Sequence, residues 1–112
     1  AMFIGTSGAG LPLTGNMLGN IIGLCSMLDE CACPWHGDWY REAIRRNGVD
    51  EENQFRLYYH DNSIHDDRAG YLDDPQHQVD YLGTLHQALL DVAAWCEKGV
   101  KPLPIMNYRY DD

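Results

Sequence analysis

Residues 21–28, IIGLCSML, form an unbroken apolar-to-small run of eight. A strand with one wet face would alternate apolar and polar residues, so this run fits a strand buried on both faces, as in a parallel sheet. A short helix is the competing reading; Gly23 and the length favour strand. Asp29 and Glu30 end the run. Parallel neighbours need a long crossover, and the next segment supplies one. In CPWHGDWYREAIRRNG, Pro34 suits the first helical position and Gly48 a left-handed C-cap. Trp35, Trp39 (or Tyr40) and Ala43 recur at helical spacing, and Arg45 and Arg46 complement the dipole of the last turn. A helix is expected over about 35–46.

After the polar connector VDEENQ, residues 55–60, FRLYYH, read as a second strand with Phe55, Leu57 and Tyr59 on one face. Asp74 and Pro75 form an N-cap and first-turn pair. Val79, Leu82, Leu85, Leu89, Val92 and Cys96 then make an apolar stripe, so a helix is expected from about 75 to 98, ended by Gly99. Residues 1–19 form a Gly-rich loop, with five of the eleven glycines at 5–19. Residues 20–104 form one α/β subdomain, and 105–112 an exit tail or linker. The core of this order is a βαβ crossover, for which a right-handed connection is expected. Two parallel strands cannot make a sound sheet alone, because their edges need neighbours. The chain therefore reads as part of a larger α/β layer structure, completed by self-association or by a second chain or segment.

The bulk composition removes several function classes. At 45% hydrophobic and 22% charged, the 112 residues suit one globular domain. A formal net charge of −9 repels nucleic acid and anionic lipid. No apolar run approaches the roughly 18 residues of a membrane span, and the chain is read as soluble. There is no n-region/h-region leader pattern, and Ala1 ahead of Met2 reads as an appended residue, with Met2 the native start or cut point. Cys25, Cys31, Cys33 and Cys96 do not space like a disulfide scaffold; Cys25 and Cys96 are expected as buried free thiols.

Functional groups in open α/β sheets gather beyond the carboxyl ends of the strands. Asp29 directly follows the first strand, and His65 lies in the loop after the second, DNSIHDD. Parallel neighbours put these loops side by side. A carboxylate bonded to one imidazole nitrogen fixes the tautomer, and the other nitrogen can act as general base. Nearby carboxylates should raise the His65 pKa. Glu30 could take the role of Asp29, and His60 is an alternative base.

The segments MLDECACPWHGDWYREAI, FRLYYHDNSIHDD and YLGTLHQALLDVAAWCEKGVKPL resemble the acid-bearing segment, the histidine loop and the last helix of α/β-hydrolase-fold esterases, broadly of the tannase/feruloyl-esterase-like group. The resemblance covers roughly residues 20–104. It implies the last two strands and helices of that fold, Asp29 as triad acid, His65 as triad base, an ester substrate in an intact enzyme, and a leaning toward export; it implies no cofactor. Such an enzyme needs a serine on a G-x-S-x-G elbow. GTSGAG offers Ser7, with Gly5 before it but Ala9 in place of the second glycine. Only 21 residues separate Ser7 from Asp29, and the oxyanion-hole segment is absent. The chain reads as a fragment carrying acid and base without the nucleophile, inactive alone.

Two other classes stay open. One is a non-catalytic α/β module that self-associates through its open sheet and Trp/Tyr surface, to which Tyr108 and Tyr110 would add. The other is a small metal-binding module, with Cys31, Cys33 and His36 as zinc ligands, to which His60, His65, His77 or His86 could add one, or the acidic loop 61–74 as a calcium site. The spacing matches neither the zinc nor the EF-hand pattern, so no metal ligand is assigned. Trp35, Trp39, Tyr58 and Tyr59 are expected as core or sheet-covering residues.

Overall fold

The structure, a computed structural model, describes residues 13–66, 74 and 76–104. Strands β1 (Ile21–Ser26) and β2 (Phe55–His60) pair in parallel, with Ile21 opposite Phe55 and Ser26 opposite His60. Helix α1 (Trp35–Arg46) and the one-turn helix α2 (Glu51–Gln54) connect them, and α3 (Leu82–Lys98) follows. The result is mixed α/β: a βαβ unit with a two-stranded parallel sheet and a C-terminal helix.

Local chemistry explains the crossover. Pro34, at φ −58°, sits at the N-cap of α1, one residue before the expected position. At the other end Gly48 takes φ +71°. Its N–H donates to Arg45 O at 3.0 Å, and the Val49 N–H donates to Ile44 O at 3.3 Å. This is a Schellman turn, and Val49 packs against the Ile44 cluster as that motif favours. The connector that follows holds α2, because the Asp50 carboxylate accepts the Asn53 N–H at 3.3 Å.

Successive strand residues face opposite ways. The Phe55 ring meets Tyr40 of α1 edge-on at 6.1 Å, whereas the Arg56 guanidinium lies 5.1 Å from the Trp95 ring of α3. Thus α1 and α3 cover opposite faces of the sheet. Met17, Ile44 and Phe55 form a small buried cluster, joined by Ile21, Tyr40 and Leu57. The loop before β1 reaches it through Gly15, at φ +77°, where a Cβ would lie 2.3 Å from the Ala43 carbonyl carbon. Only glycine permits that approach.

Several expectations are corrected. The first strand ends at Ser26 rather than near residue 28, and its six residues are half-buried rather than buried on both faces. Among the described residues it pairs with β2 alone, so its other edge meets no strand there. Trp35 and Trp39 are 65% and 58% exposed, because α1 turns Tyr40 and Ile44 inward. Tyr58 is buried as expected, whereas Tyr59 is exposed. Helix α3 starts at Leu82, not near 75: Asp74 closes a turn with His77 and Gln78, and the Asp80 carboxylate accepts the Leu82 N–H at 2.7 Å. Its buried residues are Ala88 and Trp95, with Leu85 and Val92 half-buried, whereas Leu82, Leu89 and Cys96 of the expected stripe are exposed. Ser7, Pro75, residues 67–73 of the acidic loop, and Tyr108 and Tyr110 lie outside the described residues.

The segment after α3 is more than an exit. Arg56 is buried, yet among the described residues it donates only to carbonyls: Nε to Pro102 O at 3.1 Å and Nη1 to Glu52 O at 2.8 Å. The Tyr58 hydroxyl donates to Leu103 O. One strand face thereby holds α2, α3 and residues 102–103 together. Arg56→Met keeps the apolar stem but leaves those carbonyls unpaired and removes the cation over Trp95. It should cost about 2–4 kcal/mol in urea unfolding monitored by Trp fluorescence. A loss below about 0.5 kcal/mol would show that the guanidinium is not the tie.

Candidate functional site

The strand pairing does not stop at the strand ends. The Met27 N–H donates to His60 O at 2.9 Å, and the Leu28 N–H donates to Ser63 O at 2.8 Å. Asn62, at φ +56°, turns the chain after β2, and Ser63 is fully buried with its hydroxyl donating to His60 O. These contacts carry the two loops forward in step and bring Asp29 and His65 together. His65 Nδ1 lies 3.0 Å from both Oδ1 and Oδ2 of Asp29.

Asp29 is held independently of the histidine. Its Oδ1 accepts the Cys31 N–H at 2.8 Å and the Ala32 N–H at 2.7 Å. This is an Asx-type turn, a local pattern of an aspartate that stops a strand. The Asp29 side chain is only 10% exposed, against 46% for His65. Burial pushes the Asp29 carboxyl up, but the Ala32 N–H, the His65 ring and the Cys31 N–H together outweigh it and hold the group below its ordinary value. The hydrogen bond to Asp29 and the charge of Asp29 raise His65, with smaller help from Asp66 and Glu30.

The other candidates fall differently. Glu30 is exposed and adds only field. His60 is buried, its Nδ1 has no partner among the described residues, and burial lowers its pKa, so it does not act as a base at this site. Cys31, by contrast, stands beside the pair: donor atoms of Asp29, Cys31 and His65 all lie within 4.8 Å of one another. Burial and the charges of Glu30, Asp29 and Asp66 raise the Cys31 thiol, which suppresses the thiolate a nucleophile would need. Sequence reasoning placed Cys31 with Cys33 and His36 and named His65 only among several histidines that could add a ligand; its nearness to Cys31 depends on the loop after β2.

A cleft of about 310 Å³ opens at the pair. It is lined by Leu24, Cys25 and Ser26 of β1 and by no residue of β2, and Cys33, His36 and Tyr81 also border it. The Tyr81 hydroxyl donates to His65 O at 3.4 Å. A second, apolar cleft of about 600 Å³ lies between Met27, Pro34, Trp35 and Tyr59. There burial and the Asp38 carboxylate push the Tyr59 hydroxyl up to about 12.

The pairing has a pH signature. A raised His65 contributes stability that is present below its ordinary value of 6.5 and is lost as pH rises through the folded value. A lowered Asp29 contributes stability that is present above its ordinary 3.8 and is lost as pH falls through the folded value. Both contributions are complete between those two ordinary values. The His65 ring protons should titrate above 6.5 by NMR, and Asp29→Asn should bring that midpoint down. An unchanged His65 midpoint in Asp29→Asn would refute the pairing. No protein-family model, curated protein or solved structure matches the chain.

Proposed function

We propose that this chain is the C-terminal portion of an α/β-hydrolase-like carboxylic ester hydrolase, supplying the acid Asp29 and the base His65 of a Ser-His-Asp triad. The observation that carries the reading is the double 3.0 Å approach of His65 Nδ1 to a carboxylate already fixed by two backbone N–H groups. In this reading Asp29 keeps the proton on Nδ1, so Nε2 is the basic nitrogen. Nε2 takes the proton of a serine hydroxyl as its oxygen attacks the ester carbonyl. The imidazolium then returns that proton to the departing alkoxide, leaving an acyl-enzyme. Water, deprotonated by the same Nε2, releases the acid and restores the serine.

Among the described residues no serine hydrogen-bonds to His65, and the serine is assigned to a further segment or chain. Of the two strands, only β1 lines the cleft at the dyad, which suits approach of such a segment along the edge of β1 away from β2. The 112-residue chain should therefore show only background hydrolysis of p-nitrophenyl acetate. The gene should encode a G-x-S-x-G elbow upstream of Met2. In that longer product Asp29→Asn and His65→Ala should each lower kcat by about 10³-fold or more. A gene without that elbow, or activity that survives His65→Ala, would overturn the reading.

A self-associating, non-catalytic module is the second reading. It is favoured by the exposure of Trp35 and Trp39 beside a sheet whose outer edges meet no strand among the described residues. A monodisperse monomer on size exclusion counts against it.

A further inference from the structure

The Asp29–His65 pair has a third donor that ester hydrolysis does not use. Cys31 is exposed and not in a disulfide, and it leaves the same turn whose N–H groups fix Asp29. Asp29, Cys31 and His65 offer one oxygen, one sulfur and one nitrogen, all within 4.8 Å of one another, and the oxygen and nitrogen already lie 3.0 Å apart. Zinc takes such donors at about 2.0–2.3 Å in a tetrahedron, which separates ligand atoms by roughly 3.3–3.8 Å. The pair must therefore open by less than about 1 Å and the sulfur must close by at most about 1.5 Å. Cys31 and His65 have exposed side chains on turns rather than packed elements, so that adjustment meets little resistance. Two further carboxylates, Glu30 and Asp66, act on the same place and add negative field for a cation.

We propose that Asp29, Cys31 and His65 form a binding site for a borderline-soft divalent cation of the zinc type, with water completing the fourth position. The donor set selects against calcium and magnesium, which prefer oxygen alone. Occupancy and the base role exclude each other, because a cation must break the direct Nδ1–carboxylate contact. The inference does not rest on the hydrolase reading, and its test reads metal binding rather than ester hydrolysis.

The test is titration of the reduced chain with Co²⁺, then displacement by Zn²⁺. A 1:1 complex should show a thiolate-to-cobalt charge-transfer band that zinc removes. Cys31→Ser should abolish the band, and Asp29→Asn and His65→Ala should each weaken Co²⁺ binding at least ten-fold, while Cys96→Ser leaves it unchanged. Far-UV circular dichroism checks that each variant is folded. Independently of any variant, Zn²⁺ should protect Cys31 but not Cys96 of the unmutated chain from iodoacetamide, read by peptide mass. Absence of the band, its survival in Cys31→Ser, or equal alkylation of Cys31 with and without Zn²⁺ overturns the proposal. So does loss of the band in Cys33→Ser together with full binding in Asp29→Asn, which would mark a dithiol site instead.

Discussion

The parallel pairing of β1 with β2, carried two residues past the strands, is the constraint on which the rest depends. Ser26 faces His60 at the end of the ladder, and Met27 and Leu28 then bond to His60 and Ser63. Because both strands finish at the same level, both loops leave on the same side. Asp29 reaches its place from one loop and His65 from the other. A slip of one residue in either strand would turn that strand over and part the two groups. The energy that fixes this register comes from the two strand faces. Phe55 and Leu57 pack toward α1, while Arg56 ties the opposite face to Trp95 and Pro102.

The division of labour within the pair follows from its surroundings. Asp29 is nearly buried and has two backbone donors of its own, so its orientation survives whatever the histidine does. His65 is half-exposed and is positioned by the aspartate, with Tyr81 holding its carbonyl. A fixed carboxylate and a wetter imidazole can serve proton transfer or a metal ion, and neighbouring groups select between them. The raised Cys31 thiol disfavours a third role, that of nucleophile.

Much of this architecture was legible because it rests on local chemistry. Gly48 announces a left-handed cap, FRLYYH a strand, and an aspartate directly after an apolar run a turn at a strand end. Those signals act over a few residues, so they survive without knowledge of the fold. Other features depend on distant partners and were not legible. Nothing local says that Arg56 will be buried under Trp95 with carbonyls as its partners. Trp35 and Trp39 have helical spacing, yet Tyr40 and Ile44 face the sheet, because composition does not reveal which side of a helix the sheet meets. Helix α3 starts at Leu82 rather than near 75 because Asp74 closes a separate turn and Asp80 turns the chain just before Tyr81, the N-cap. The nearness of Cys31 to His65 is likewise a product of register.

The Val79 N–H donates to Asn62 O at 2.8 Å, which pinches shut the loop that contains His65. His65 stands near the entry of that loop, between the buried Ser63 and the exposed Asp66. Residues 66–78 of the loop follow it, ahead of the pinch at Val79. Lengthening a flexible loop is cheap, about 0.6 kcal/mol for each doubling. Engineered insertions between Asp66 and Val79 are therefore expected to leave the Asn62–Val79 bond and the Asp29 contact in place. The Asp29–His65 contact and the Asn62–Val79 anchor are thus set by residues near the base of the loop rather than by its length.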